Sequence, residues 1–265
     1  MGRSGTRRIH ILDEVRGFTV LLMILYHAWY VMGYMFNWQI GKVLFDFFKH
    51  DVPFQAFFAG VFIAICGISC NLSHNNLKRG LLLAGAAALI SLVMWCAVFW
   101  GVLAPDSYIW FGILHLLATC ILLYTLFRPT LRLLPPWLGV LLSAVLLWLC
   151  WHIPEENGSY FGISGVFTLP VPAAEVNTPW LYPLGLCPIS TTADYFPLLP
   201  WFFCFLMGTY IGVWAKDGKF PKFCYRSHVP FLSKIGKYTL WIYVLHQPVI
   251  YLICLAIDTL IKKVF

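Results

Sequence analysis

The chain has 265 residues, of which 60% are hydrophobic and only 11% charged, and its formal net charge is +7. Soluble domains carry roughly 45–50% apolar and about 25% charged residues, so this composition cannot cover a water-facing surface and implies an integral membrane protein. The basic excess has to be weighed against membrane topology before nucleic acid is considered. Nine cysteines, odd in number and mostly inside apolar runs, are expected to pack as small hydrophobes rather than to form a disulfide framework.

A hydrocarbon core of about 30 Å is crossed by ~20 apolar residues in a helix. Seven segments qualify, at about 12–35, 54–73, 80–103, 109–127, 137–153, 196–215 and 238–260. The expected fold class is therefore all-α, a polytopic transmembrane helix bundle of about seven spans forming one domain over 1–265. Arg3, Arg7 and Arg8 stand before the first segment as in a secretory signal. Its apolar stretch is too long for a signal and no small-residue cleavage site follows, so it is expected to remain as a helix. With the N-terminus on the cytoplasmic side, 14 of the 18 lysines and arginines fall inside, and only Lys42, Lys49, Lys262 and Lys263 fall outside. That asymmetry satisfies the positive-inside rule and accounts for the basic charge without nucleic acid.

The one long connection, about 154–195, contains Pro154, Pro170, Pro172, Pro179, Pro183 and Pro188. No regular helix is expected through it. Its aromatic and aliphatic content argues against disorder, so a folded cap on the outer face is expected. Asn157-Gly-Ser159 in this loop has the pattern of a glycosylation sequon, which carries no meaning in a bacterial protein.

Ionisable residues inside a span cost at least ~2.5–3.5 kcal/mol on insertion scales, so each needs an explanation. In the first span, Asp13 and Arg16 lie one turn apart and are expected to pair. Arg16 and His27 are separated by eleven residues, three full turns plus about 20°, so they share a helix face about 16 Å apart. One reading is an interfacial ion pair with His27 bonded to a neighbouring helix. The other is a polar track, with a cation at the cytoplasmic mouth for an anionic cofactor and an imidazole deeper for proton chemistry. His115 follows Phe111-Gly-Ile-Leu in the fourth span, about one and a half turns from its outer end, and His246 lies in Tyr243-Val-Leu-His246-Gln247-Pro248 of the last. Pro248 frees a carbonyl there. No second His, Cys or carboxylate stands three or four residues after any of the three histidines, so no metal site is expected. Asp194 opens Asp194-Tyr-Phe-Pro-Leu-Leu-Pro-Trp201, where it suits a helix cap or a hold on an acceptor hydroxyl or amine. Gly208-x-x-x-Gly212 marks close helix packing. His50 lies in a loop before the second span.

Four of these motifs, in this order, carry a resemblance that covers nearly the whole chain. Asp13-x-x-Arg16-Gly17 with His27 resembles the start of the transmembrane acyltransferase superfamily. Phe111-Gly-Ile-Leu-His115, Asp194 to Trp201 and Leu245-His-Gln-Pro248 resemble bacterial members of the heparan-α-glucosaminide N-acetyltransferase catalytic-domain family. The resemblance implies an integral enzyme of the bacterial inner or plasma membrane. Acetyl-CoA or another acyl-CoA would serve as co-substrate, reached from the cytoplasm, and the acceptor would be a saccharide hydroxyl or amino-sugar amine on the outer side. The lipid bilayer is the other partner, and bacterial relatives suggest a homodimer. The spacing of Arg16 and His27 matches relatives in which the arginine is associated with acyl-CoA and the histidine with catalysis. In the animal heparan enzyme the active histidine follows the first catalytic-domain span in a loop, where the nearest counterpart here is His50. His27 is preferred as base or transient acyl carrier, and His50 stays open as the alternative.

Neutral imidazole suits either role because its pKa lies near working pH. CoA phosphates need cations at the cytoplasmic mouth, where Arg16 (braced by Asp13), Lys78, Arg79, Lys234 and Lys237 stand. His115, Trp201 and His246 are expected near the acyl group, and Asp194 near the acceptor. Two rivals remain from the residues alone: a proton-coupled transporter using the histidines as a relay, and a non-catalytic membrane assembly protein.

Overall fold

The computed structural model describes residues 8–52, 54–101, 103–104, 107–154, 159–171, 179–186 and 194–264. Arg3 and Arg7, Pro172 and Pro188, and Asn157 with Gly158 of the sequon lie outside the described residues. The described residues form nine α-helices and one two-stranded hairpin. The helices are α1 (His10–Tyr30), α2 (Gln39–Asp46), α3 (Phe54–Leu72), α4 (Asn76–Phe99), α5 (Ile113–Leu131), α6 (Pro136–Leu149), α7 (Leu198–Lys216), α8 (Pro230–Lys237) and α9 (Thr239–Val264). Six helical stretches, α1 with its continuation to Met35, α3, α4, α5, α7 and α9, are long and apolar enough to cross a membrane. The protein is an all-α, polytopic integral membrane protein.

The seven apolar segments expected from sequence each become a helix, with ends shifted by a few residues. The fifth differs most. Pro136 starts α6 in the first-turn position where a missing N–H costs nothing, and the helix stops at Leu149 after 14 residues. At 1.5 Å per residue that is about 21 Å, short of a full crossing. The apolar residues that follow, Cys150 and Ile153, leave the helix and are buried. Of the proline-rich connection, the described residues include a hairpin: β1 (Tyr160–Ile163) pairs antiparallel with β2 (Phe167–Pro170), Tyr160 opposite Pro170 and Ile163 opposite Phe167. A short 3₁₀ turn follows at Pro179–Leu184.

The contacts divide the chain into two units, one made of residues before Ile63 and after Lys219, the other of Ile63–Lys219. In the first, α1 is the central element and packs on α2, α8 and α9. Its contact with α8 is backbone to backbone: a methyl group on Gly17 would collide with the carbonyl of Leu232, and one on Gly236 with the carbonyl of Asp13. Glycine at both positions is what permits this approach. Tyr26 and Trp29 of α1 pack into an aromatic cluster, with Tyr26 4.9 Å from Phe45 and Trp29 stacked 4.7 Å from Phe48, ring centre to ring centre. Further along, Val31, Ile250 and Cys254 form the buried seam between α1 and α9.

In the second unit, Asn75 caps α4 by accepting from the Lys78 amide at 2.8 Å. Gly208 and Gly212 of α7 sit against α3, where added methyl groups would collide with the carbonyls of Ala64 and Ile68, so the small-residue spacing does mark a helix crossing. Most of the α4 surface, including Leu81, Leu82, Leu89, Leu92 and Val93, is exposed and apolar, as a lipid-facing helix requires.

Glu14 is the most consequential polar residue in the first unit. It is only 3% exposed. Its Oε1 accepts from Ser227 Oγ at 3.0 Å, the His228 amide at 2.8 Å and the Val229 amide at 3.0 Å, tying α1 to the start of α8. Removing it takes the acceptor from three donors on exposed residues, which water reaches in part, so the loss is the net worth of charge-assisted bonds, about 1.5–3 kcal/mol. Glu14→Ala is therefore expected to lower stability by about 1.5–3 kcal/mol in chemical unfolding of the detergent-solubilised protein, and Glu14→Gln by less, because its amide oxygen still accepts. Equal stability of Glu14→Ala and wild type would show that the carboxylate is not the anchor.

Candidate functional site

Helix α1 carries charge at one end and an imidazole near the other. At its first turns Asp13 sits between two arginines, with Oδ2 2.6 Å from Arg8 Nη2 and Oδ1 3.1 Å from Arg16 Nη1. The Asp13–Arg16 pair expected from one-turn spacing is present, and Arg8 joins it. Arg16 is only 20% exposed and Asp13 15%, so the pair is largely withdrawn from solvent. Lys237, the last residue of α8, is exposed.

Three turns along α1, His27 meets the motif from the far end of the chain. The Gln247 side-chain amide donates to His27 Nδ1 at 2.9 Å. The His246 ring centre lies 5.0 Å from that of His27, the planes tilted by 56°. A glutamine inside an apolar helix needs a polar partner, and His27 supplies it. Since an amide N–H can only donate, His27 accepts at Nδ1 and carries its proton on Nε2. His246 is the more enclosed of the two rings, 7% exposed. Its Nδ1–H donates to the Tyr243 carbonyl at 2.5 Å, which leaves Nε2 as an acceptor. That Nε2 is buried and has no hydrogen-bond partner. A buried acceptor without a donor is costly, and a hydroxyl or amine placed there would relieve that cost.

His115 and Asp194 come together in the second unit. Gly112 is the N-cap of α5, so His115 sits in that helix's first turn, closer to its end than the apolar pattern suggests. His115 Nδ1 accepts from the Gly112 amide at 3.3 Å, and its Nε2 lies 3.2 Å from Ser91 Oγ, which in turn donates to the Ile109 carbonyl at 2.8 Å. Both ring nitrogens are thus engaged within the unit. Asp194 does not cap the helix that follows it. The N-cap of α7 is Pro197, and Asp194 Oδ2 instead accepts from the Ile113 amide of α5 at 3.4 Å. Asp194 has φ of +56°, a left-handed conformation that aspartate tolerates and that turns its carboxylate toward α5. Gly112 is required beside it, because a methyl there would collide with that carboxylate. Next to it, Tyr195 Oη donates to the Tyr182 carbonyl at 2.9 Å, and Trp201 packs 5.6 Å from both Trp151 and Phe196. His50 falls in the helical turn Phe47–Asp51, and its side chain lies outside the described structure. Among the described residues, no group of three His, Cys, Asp or Glu is placed to hold a metal.

In sequence His27 and His246 stand apart, and Gln247, inside the motif that carries His246, gives no sign of being their link. Glu14 is signalled only as a second acid next to Asp13. The direction of the His27–Gln247 bond can be checked on its own. In imidazole-labelled protein, 15N NMR is expected to show His27 protonated on Nε2, and Gln247→Leu is expected to remove that bias. A wild-type His27 protonated on Nδ1 would contradict the arrangement.

Residues 8–248 match the family model described as heparan-alpha-glucosaminide N-acetyltransferase, catalytic. No curated protein and no solved structure matches the chain. The family match begins at Arg8, two residues before α1, ends at Pro248, and so takes in Asp13, Arg16, His27, His115, Asp194, His246 and Gln247. The chain belongs to the heparan-alpha-glucosaminide N-acetyltransferase catalytic-domain family and is a membrane acetyltransferase.

Proposed function

We propose that the protein transfers an acyl group, acetyl in the simplest case, from acyl-CoA on the cytoplasmic side to a sugar hydroxyl or amine on the outer side of a bacterial inner membrane. The observation that carries this reading is the pairing of His27 Nδ1 with the Gln247 amide at 2.9 Å, beside the unpartnered Nε2 of His246. An imidazole within a membrane span is thereby held by a group that a substrate can displace. The donor would supply an electrophilic thioester carbon.

In this reading His27 is the base. The acceptor's O–H or N–H takes the place of the Gln247 amide at Nδ1. As the acceptor's lone pair bonds to the acyl carbon and the carbon–sulfur bond breaks, Nδ1 removes the acceptor's proton and then passes it to the departing thiolate. The same lone pair would serve if His27 held the acyl group transiently, the Gln247 amide giving way at Nδ1 in that case too. His246 Nε2 accepts a hydrogen bond from the incoming donor or acceptor. Arg16, with its charge fixed by Asp13, offers a guanidinium fork to the phosphates of the donor, and Lys237 adds charge at the end of α8. Within the second unit, His115 and Trp201 serve by fixing the starts of α5 and α7, and Asp194 steadies α5 through the Ile113 amide. His50 remains the alternative catalytic histidine, and a homodimer the assembly to test.

Calorimetry of purified protein in nanodiscs is expected to show micromolar acetyl-CoA binding. Arg16→Ala should weaken it by about tenfold or more, since a charge-assisted bond is worth about 1.5–3 kcal/mol. His27→Ala should retain binding but lose about 10²–10⁴-fold in turnover. Loss of turnover in His50→Ala with full activity in His27→Ala would transfer the role to His50. No binding by wild type at millimolar acetyl-CoA would overturn the reading.

A further inference from the structure

In the second unit, three arginines converge where the end of α3, the start of α4 and the end of α5 meet. Arg79 lies in the first turn of α4, Arg128 in the last turn of α5, and Arg132 closes α5. Arg79 Nη2 stands 3.6 Å from Cys66 Sγ on α3. Gly80, next to Arg79, lies against Ile121 and Leu122 of α5, and Tyr124 of α5 reaches Asn71 at the end of α3, so the three arginines stand at one corner of the unit. Two polar side chains beside them are paired. Tyr124 Oη donates to Asn71 Oδ1 at 3.1 Å, and Asn71 Nδ2 donates to the Thr209 carbonyl at 2.6 Å.

Among the described residues, no carboxylate stands against this cluster. The described acids of the unit are Asp194, engaged with α5, and Asp217, paired with Lys219 at 3.2 Å. Among the described residues, no carboxylate pairs with Arg79, Arg128 or Arg132, and the acceptor facing Arg79 is a thiol. Arg128 Nε is buried without a hydrogen-bond partner. Asn76, 7% exposed, donates to the Cys70 carbonyl at 2.8 Å and leaves its own Oδ1 equally unmet. Attraction of cations to the carbonyl end of α5 accounts for basic residues at this position. It does not account for the Nε of the half-buried Arg128 being buried without an acceptor.

We propose that Arg79, Arg128 and Arg132 form a phosphate-binding site. Planar guanidinium groups bind phosphate oxygens in pairs, and burial of Arg128 Nε strengthens the bond it would make. The phosphate is the nucleotide end of CoA, an identification that rests on the acyl-CoA reading above. An anionic lipid headgroup presents the same chemistry.

The test uses full-length protein in phosphatidylcholine nanodiscs, titrated with adenosine 3′,5′-bisphosphate and, separately, with acetyl-CoA. Wild type is expected to bind both. Arg79→Gln and Arg128→Gln should each weaken both by about tenfold or more, with Arg128→Lys in between. Ligand-free thermal unfolding shows which variants are folded, and the bisphosphate should raise the unfolding midpoint of wild type but not of the glutamine variants. Folded variants that bind acetyl-CoA as wild type does would overturn the phosphate site and leave the acyl-donor reading standing. If wild type binds neither nucleotide, but phosphatidylglycerol nanodiscs raise its unfolding midpoint in an Arg128-dependent way, the phosphate site stands with lipid as its ligand. The acyl-donor reading then falls.

Discussion

A polar side chain in a membrane-spanning helix must find its partner inside the protein, because hydrocarbon offers none. Four such groups on helix α1 each organise a neighbour. Asp13 holds Arg8 and Arg16. Glu14 takes up the amides that start α8. Tyr26 Oη donates to Gln55 Oε1 at 3.3 Å on α3, and His27 fixes Gln247 on α9. The helices around α1 are set by these pairings as much as by apolar packing.

Small residues make the pairings geometrically possible. With glycine at 17 and 236, α8 comes close enough for a single carboxylate oxygen to reach two backbone amides and a hydroxyl. The buried seam of Val31, Ile250 and Cys254 holds α1 against α9 one turn beyond the histidines, so that an imidazole and an amide 220 residues apart in sequence meet at hydrogen-bond distance. Two chemical functions are thus carried on one rigid rod: an ion pair at one end, an imidazole at the other. Three turns of helix separate them, a separation fixed by helix rise rather than by loops.

Much of this was legible in the sequence, for physical reasons that differ by feature. Span positions follow from composition averaged over ~20 residues, which is why α3 and α9 begin where the apolar runs do. The Asp13–Arg16 pair follows from one-turn spacing, a local rule. What the sequence could not show depends on which helices become neighbours. Gln247 is an ordinary polar residue until α9 is laid against α1. Asp194 looks like a cap for its own helix, yet its left-handed backbone turns it onto α5, a choice set by the packing around Gly112. His115 appeared deeper because the apolar run begins before Gly112 starts the helix. The length of α6 was overestimated because buried apolar residues continue past the point where the helix ends.

The central claim is that His27 performs transfer across the bilayer, and it is tested most directly in sealed proteoliposomes. Acetyl-labelled acetyl-CoA is added on one side and glucosamine is confined to the other. The account predicts labelled acetylglucosamine in the acceptor's compartment with wild type and none above background with His27→Ala, while the label stays with CoA. Equal labelling by the two proteins would contradict it, as would product formed only when donor and acceptor share a compartment.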